Sequence, residues 1–402
     1  MKNIKMILWF LSVVLAVQCS HKPVSSGAPA RENMEKEPGK PMVLVGADRL
    51  DVLLPKLKSK RVALVVNHTS LVGNSHITDT LLASGVSIIK VFAPEHGFRG
   101  AAADGEKVND AVDSQTGLPI VSLYGKNRKP TAEQLRDVDI VIFDIQDVGT
   151  RFYTYISTMH YVMEACAEQG KKMIVLDRPN PNGNYVDGPM RVESLKSFVG
   201  MHPIPIVHGL TVGELAGMIN GEGWLEKGIT CDVEIIPIKN WTHQDSYSLP
   251  VKPSPNIPND QAVKLYPSLC LFEGTVVSVG RGTQTPFLII GNPEFTDMPF
   301  SFTPKAIPGM SNEPPQEGKM CYGLDLSNAK VEPGINLQYL LDFYNKYSDK
   351  EKFFIGSFDR LAGTPVLKEQ IKKGMTQEQI KATWKKDLDG YKEMRKKYLI
   401  YP

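Results

Sequence analysis

Polar and aromatic side chains follow each of four apolar segments in the first half of the chain, as in the stretch FAPEHGFRG at 92–100. The carboxyl ends of parallel strands meet at one edge of a sheet, so these side chains are predicted to lie together. Amides and carboxylates hydrogen-bond sugar hydroxyls, aromatic rings cover apolar sugar faces, and arginine pairs with carboxylates. We therefore predict a ligand rich in hydroxyl or acetamido groups. The candidate binding residues in this half are Asn67, Thr69, His96, Asp147, Arg151, Tyr153, Arg178 and Asn180.

Three carboxylates are candidates for catalysis. Glu95 follows Pro94 where an apolar segment ends, and a carboxyl group in such a setting can act as a general acid. The alternative is an ordinary loop glutamate. Asp144 lies inside the apolar segment VIFDIQD, where a carboxylate must be hydrogen-bonded or functional. Glu273 belongs to a second polar region at 271–293, together with Arg281 and Thr283, and is predicted to face Glu95 across a cleft between two domains.

Alternating strand and helix patterns predict the elements that position these residues. Between residues 42 and 262 apolar segments alternate with amphipathic ones, which is typical of a doubly wound, mostly parallel α/β sheet. Thr131 and Gln134 have the spacing of a capping box at a helix start. The stretch from 265 to 283 is interpreted as strand-like. Helical patterns later in the chain predict a smaller α/β or α+β domain over 263–402.

Composition and missing motifs exclude several functions. The chain has 402 residues, 42% of them hydrophobic, and a net charge of +2 without a basic stripe, which argues against a nucleic-acid partner. The sheet is Rossmann-like in pattern, yet the first strand lacks a G-x-G-x-x-G turn, so no nicotinamide or flavin cofactor is expected. The sequence also lacks a G-x-S-x-G elbow, which argues against an esterase or amidase. The spacing of the cysteines matches no zinc site, and their apolar contexts favour buried free thiols. One disulfide in an oxidising compartment is the alternative.

The N-terminus predicts export. Two lysines precede a short apolar core that ends at Cys19, the pattern of a signal peptide with a lipobox over residues 1–19. A tether rich in Pro, Ser and Gly follows at 20–41. We therefore expect a periplasmic or outer-membrane-anchored lipoprotein whose contact with the membrane is a lipid on Cys19. A plain secretory signal is the alternative.

Eight stretches between 64 and 293 together resemble the exo-β-N-acetylmuramidase family of bacterial proteins. They are VNHTS, FAPEHGFRG, FDIQDVGTRFYTY, LDRPNP, SPNIPN, YPSLCLFEGT, VSVGRGTQTPF and IGNP, in that order. The resemblance implies a Rossmann-like domain without nucleotide, a smaller C-terminal domain and an active site between them. It also implies release of terminal, non-reducing N-acetylmuramic acid from peptidoglycan fragments, with the family's EHG glutamate falling on Glu95.

The resemblance leaves the mechanism open. Glycoside hydrolysis usually needs two carboxyl groups, and the partner of Glu95 is Glu273, Asp144 or Asp147, or else the substrate's own 2-acetamido group acts as nucleophile. Arg281 is the preferred partner for the lactyl carboxylate of muramic acid, ahead of Arg151 and Arg178. The competing hypothesis is a non-catalytic lipoprotein that binds muropeptides.

Overall fold

The computed structural model describes residues 41–99 and 110–402. Cys19 and the predicted signal peptide and tether lie outside these ranges, apart from residue 41. Within the described residues the strands are β1 (Arg61–Val66), β2 (Leu71–Val72), β3 (Ser75–His76), β4 (Ser87–Ala93), β5 (Ala111–Val112), β6 (Pro119–Ser122), β7 (Ile140–Asp144), β8 (Lys172–Leu176), β9 (Val233–Ile236), β10 (Ile289–Asn292), β11 (Phe300–Phe302) and β12 (Cys321–Asp325). The α-helices are α1 (Leu50–Leu57), α2 (Ile77–Ala83), α3 (Ala132–Leu135), α4 (Tyr155–Glu168), α5 (Val212–Gly221), α6 (Asp260–Leu269), α7 (Gln338–Lys346), α8 (Phe358–Ala362), α9 (Val366–Lys372) and α10 (Gln377–Arg395).

A seven-stranded sheet forms the centre of the N-terminal part, in the order β5-β6-β4-β1-β7-β8-β9. Its pairings are parallel except for that of the edge strand β5 with β6. Val65 of β1 is level with Phe92 of β4 and with Phe143 of β7. The residues that follow these strands therefore emerge at one edge of the sheet, as the sequence predicts.

Helices cover both faces of this sheet. Along β1, Ala63 and Val65 belong to one buried cluster, which includes residues of α4 and α5. Val62, Leu64 and Val66 belong to a second cluster on the other face, which includes residues of α1 and α2. Burial on both faces explains why β1 reads as an uninterrupted apolar run. The predicted doubly wound α/β class is confirmed.

The start of α3 confirms the predicted capping box. The hydroxyl oxygen of Thr131 accepts from the backbone NH of Gln134 at 3.2 Å, and the side-chain oxygen of Gln134 accepts from the NH of Thr131 at 2.9 Å. These two bonds satisfy amide groups that a helix leaves unpaired at its first turn.

The strand-like interpretation of 265–283 is wrong, because its first half is helical and its second half forms only isolated bridges at Thr275 and Ser278. Residues 260–269 form α6, and a 3₁₀ turn continues it over Cys270–Gly274. Asn259 caps the helix by accepting from the NH of Ala262 at 3.0 Å, and apolar residues repeat at helical spacing on its buried face. An apolar run with β-branched neighbours hid this period.

The C-terminal part has α+β character. It holds a three-stranded antiparallel sheet in the order β10-β12-β11, with α7 to α10 packed beside it. One buried cluster extends from β7 and α4 into α7, α8 and α10, so the two parts of the chain share a core.

Two further findings concern the described residues. None of their helices combines the length and the apolar character that a membrane crossing requires. Their four cysteines, Cys166, Cys231, Cys270 and Cys321, are buried and free, as their apolar contexts predict.

Candidate active site

A cavity of about 500 Å³ lies at the carboxyl edge of the sheet. Residues before 260 and residues after 264 both contribute to its wall. The lining includes Glu95, His96, Arg128, Tyr153, Thr154, Tyr155, Phe198 and Asn256 from the first group, and Tyr266, Cys270, Glu273, Arg281, Phe287, Arg360 and Leu361 from the second. Carboxylates, arginines and aromatic rings therefore share one space, which is the composition that the sequence predicts for a sugar site.

Glu95 reaches this cavity from the turn after β4. Its side chain is half-buried, and the hydroxyl of Thr154 donates to its Oε2 at 2.7 Å. Thr154 immediately precedes α4, whose first residues are packed in the core, so the position of the carboxyl group is fixed by the helix. The turn itself is tight, because His96 and Gly97 both have positive φ angles, of 67° and 78°.

Glu273 lies on the wall contributed by the C-terminal part. The Nε–H of Arg281 donates to Oε1 of Glu273, and the Arg281 guanidinium carbon is 5.2 Å from the centre of the Phe287 ring. The structure thus places Glu95, Glu273 and Arg281 around one cavity. Arg281 already pairs with the carboxylate of Glu273 there, and this ion pair competes with the predicted binding of a lactyl carboxylate by Arg281.

Tyr153 and Cys270 line the cavity as neutral groups. The Tyr153 hydroxyl donates to the carbonyl of Pro253 at 2.7 Å. Burial raises the pKa of Tyr153 and that of Cys270 well above their usual ranges. Neither side chain ionises near neutral pH, so Cys270 does not supply a thiolate nucleophile.

Asp144 and Arg178 are not among the lining residues. Asp144 is fully buried and accepts from Arg178 at 2.5 Å and 2.9 Å in a two-pronged ion pair. The Nη2 group of Arg178, one of the two donors to Asp144, also donates to the carbonyl of Leu71 at 3.0 Å. This pair holds the β2 region against β7. We therefore correct the candidate roles of Asp144 in catalysis and of Arg178 in sugar binding to structural ones.

Arg151 is likewise removed from the cavity. Its side chain is fully buried and donates to four backbone carbonyls, those of Pro189, Ile204, Leu361 and Ala362, at 2.7–3.0 Å. Burial, and to a lesser extent the charge of Arg191, lowers the pKa of Arg151 to about 9, so the guanidinium stays charged at neutral pH. It ties the loop after β7 to α8 and is unavailable to a substrate.

The remaining candidates fix backbone near the sheet edge. Asn67 accepts from the NH and the hydroxyl of Thr69 at 2.9 and 2.6 Å. Asp147 accepts from a backbone NH at 2.7 Å, Asn180 donates to a backbone carbonyl at 2.9 Å, and Thr283 donates to another at 2.6 Å. None of these five lines the cavity. Their side chains shape the loops behind it, so the predicted contact of these five residues with substrate is corrected to a structural role.

The sequence analysis did not predict several of the residues that line the cavity. Thr154 sits within the quoted stretch FDIQDVGTRFYTY, but nothing local marks it as the partner of Glu95. Arg128 and Arg360 lie in charged surface-type segments. Asn256 belongs to the motif SPNIPN, which is the one signal that pointed to it.

Within the described part of the chain, one group of acids has the spacing of a metal site, namely Glu164, Glu168 and Glu226. The ammonium group of Lys129 lies 2.7 Å from Glu164 and 2.6 Å from Glu168. A lysine thus already pairs with two of the three acids, the group lies away from the cavity lining, and we assign no cofactor or metal to it.

Comparison with known proteins identifies the family. Residues 62–261 match the model of the N-terminal domain of the exo-β-N-acetylmuramidase NamZ, and residues 264–401 match that of its C-terminal domain. The peptidoglycan β-N-acetylmuramidase NamZ of Bacillus subtilis is 39% identical over 407 residues, which cover 94% of this chain and 95% of the relative.

Two crystal structures of DUF1343 family proteins from Bacteroides fragilis resemble the fold. One is 49% identical with a TM-score of 0.84, and the other is 31% identical with a TM-score of 0.74. Each alignment covers 90% of this chain and 99% of the solved one.

An α/β fold with two carboxylates around a polar and aromatic cavity agrees with the class of glycoside hydrolases. The chain belongs to the exo-β-N-acetylmuramidase NamZ family. The resemblance predicted from the eight motifs is confirmed.

Proposed function

We propose that this protein is an exo-acting glycoside hydrolase that releases terminal, non-reducing N-acetylmuramic acid from peptidoglycan fragments, with Glu95 as the general acid. The observation that carries the proposal is the position of Glu95 in the cavity, where Thr154 orients its carboxyl group. A cavity of about 500 Å³ has the size of a small-ligand site, which favours an enzyme of chain ends over one that holds a long polymer.

In this mechanism Glu95 donates its proton to the glycosidic oxygen as the bond from that oxygen to the anomeric carbon breaks. If the reaction has two steps, a water molecule later adds to the anomeric carbon and gives up a proton to Glu95; if it has one step, the water adds as the bond breaks and gives up its proton to Glu273. Glu273 is the second carboxylate at the cavity, and the donor from Arg281 suits an ionised acceptor. It acts on the anomeric centre or on the water, or it orients the 2-acetamido group if that group is the nucleophile.

The test uses two substrates that differ in their need for acid. A 4-nitrophenyl N-acetyl-β-muraminide has a good leaving group, whereas the natural disaccharide has a poor one. If Glu95 is the acid, Glu95→Gln lowers kcat/KM, which reports only the steps up to cleavage of the glycosidic bond, by about 10²- to 10⁴-fold on the disaccharide and much less on the nitrophenyl substrate. Glu273→Gln should slow both substrates to a similar degree, because its role does not depend on the leaving group.

Two outcomes would contradict this assignment. Equal losses of kcat/KM on both substrates in Glu95→Gln would mean that Glu95 does not protonate the leaving group. Absence of hydrolysis by the wild type, together with measurable binding of the disaccharide, would favour a non-catalytic muropeptide-binding protein.

We also propose that the protein is exported and anchored through a lipid on Cys19, since the sequence around that cysteine has the lipobox pattern. Metabolic labelling with an alkyne fatty acid should mark the wild type and not Cys19→Ala. Labelling of both variants, or of neither, would contradict the anchor.

A further inference from the structure

The proposed substrate carries a carboxylate that an N-acetylglucosamine unit lacks, so the cavity needs a cation that can receive it. Three arginines line the cavity: Arg128, Arg281 and Arg360. The Nε–H of Arg281 is committed to Glu273. The charge of Arg281 is thus compensated before any ligand binds, and the choice lies between Arg128 and Arg360.

The guanidinium of Arg128 is held on an aromatic platform. Its central carbon lies 4.3 Å from the centre of the Phe198 ring. The Phe198 ring is in turn stacked with Tyr161 at a centroid distance of 6.4 Å and an interplanar angle of 15°. Stacking of this kind orders a guanidinium plane and leaves its N–H edges free to donate.

The N–H groups at the edges of the Arg128 guanidinium have no hydrogen-bond acceptor among the residues that the structure describes. Arg128 forms neither a salt bridge nor a hydrogen bond within residues 41–99 and 110–402. Side chains already ordered lose less conformational entropy when they bind, so a stacked arginine without an acceptor among the described residues suits a bidentate carboxylate.

One helix fixes both the platform and the proposed acid. Thr154, just before α4, donates to Glu95, and Ser157, in the first turn of α4, donates to the carbonyl of Phe198 at 2.7 Å. The carboxyl group of Glu95 and the ring beneath Arg128 are therefore set by neighbouring residues of one rigid element. A substrate unit beside Glu95 has the platform within the same wall of the cavity.

We propose that Arg128, presented by Phe198, is the residue that selects the carboxylate-bearing sugar by pairing with its lactyl carboxylate. This inference rests on the proposed function for the identity of the sugar, and it replaces the role predicted for Arg281. Arg128 and Arg360 are both exposed, but among the described residues no aromatic ring lies beneath the Arg360 guanidinium, so Arg360 serves as the matched comparison.

The experiment compares an acid with its neutral isostere. Binding of N-acetylmuramic acid and of its lactyl carboxamide is measured by titration calorimetry, and kcat/KM is measured on the corresponding 4-nitrophenyl glycosides. The wild type is expected to prefer the acid by about 10- to 100-fold in both readouts. Arg128→Ala should remove this preference, and Arg128→Lys, which keeps the charge without the planar fork, should keep only part of it.

Arg360→Ala should retain the preference for the acid. Phe198→Leu, which keeps Arg128 but removes the ring, should lower it about three- to tenfold. The inference is overturned if Arg128→Ala still prefers the acid, if Arg360→Ala loses the preference, or if Phe198→Leu leaves it unchanged.

Failure of the two proposals can be told apart. Hydrolysis with a preference that ignores Arg128 refutes this inference and leaves the glycosidase intact. Binding that prefers the acid through Arg128, without hydrolysis, refutes the glycosidase and supports the inference.

Discussion

Replacing Thr154 with valine removes the hydroxyl that orients Glu95 and keeps the shape of the side chain. The lost hydrogen bond is 2.7 Å long and ends on a carboxyl group that is half-buried. Glu95 becomes a carboxylate as it gives up its proton, and a hydrogen bond to a charged group contributes about 1.5–3 kcal/mol; partial access of water to Glu95 places this one at the lower end, at about 1.5–2 kcal/mol. If the bond is used to align the acid in the transition state, kcat falls by about 10- to 30-fold with little change in KM.

The chain offers a closely matched control. Thr158 lies one turn further along α4, is 1% exposed, and its hydroxyl has no hydrogen-bond partner within the described residues. Thr158→Val makes the same chemical change on the same helix and should leave kcat unchanged. Helix capping does not confuse the comparison, because the Thr154 side chain makes no capping bond to α4.

The assay is steady-state hydrolysis of the natural disaccharide by the wild type, Thr154→Val, Thr154→Ser and Thr158→Val. Serine restores the hydroxyl and should restore most of kcat. Wild-type turnover by Thr154→Val, or an equal loss in Thr158→Val, would refute the argument that this hydroxyl positions the acid.

Three further predictions concern stability and reactivity. Arg151→Met leaves four buried carbonyls without their donor and should lower the free energy of unfolding in urea by about 3–5 kcal/mol. Arg136→Met, at an exposed position, is the control and should change it by less than about 0.5 kcal/mol. A loss below about 1 kcal/mol for Arg151→Met would contradict the prediction. Burial, with help from the charge of Glu214, raises the pKa of Asp177 to about 7. The folded state then holds the extra proton between pH 4 and 7, so stability falls as pH rises through that window, by about 4 kcal/mol relative to Asp177→Asn; parallel curves for the two proteins in chemical denaturation would exclude the shift. Iodoacetamide should leave the four described cysteines unmodified in the native protein and label them after unfolding, as read by mass spectrometry, and labelling of native Cys270 would refute its assignment as a buried thiol.

Local chemistry made parts of this fold predictable. The capping box of Thr131 and Gln134 depends on residues three apart. Strand β1 is recognisable from its continuous run of apolar residues, whose side chains are buried on both faces of the sheet. Both patterns are complete within one segment. Residues 265–269 lacked such a local pattern, because strand propensity and helical burial compete there, and packing decided for α6.

The site was predictable in residue type but not in pairing. The sequence identified Glu95, Glu273 and Arg281 as polar residues after apolar runs, and all three line the cavity. It could not show that Asp144 is taken up by Arg178, 34 positions away, or that Thr154 meets Glu95 across 59 positions. Such partnerships arise from topology, and a polar residue at a strand end looks the same whether it faces a ligand or a neighbour.

The burial of Arg151 limits how the enzyme can move. The carbonyls it holds include those of Leu361 and Ala362 in α8, and Leu361 belongs to the cavity wall. Swinging that wall outward would leave a cation and several oxygens in a dry interior, at a cost of several kcal/mol for each turnover. We therefore expect the proposed substrate to enter and its products to leave through the existing mouth of the cavity, without a hinge opening between the two halves of the chain.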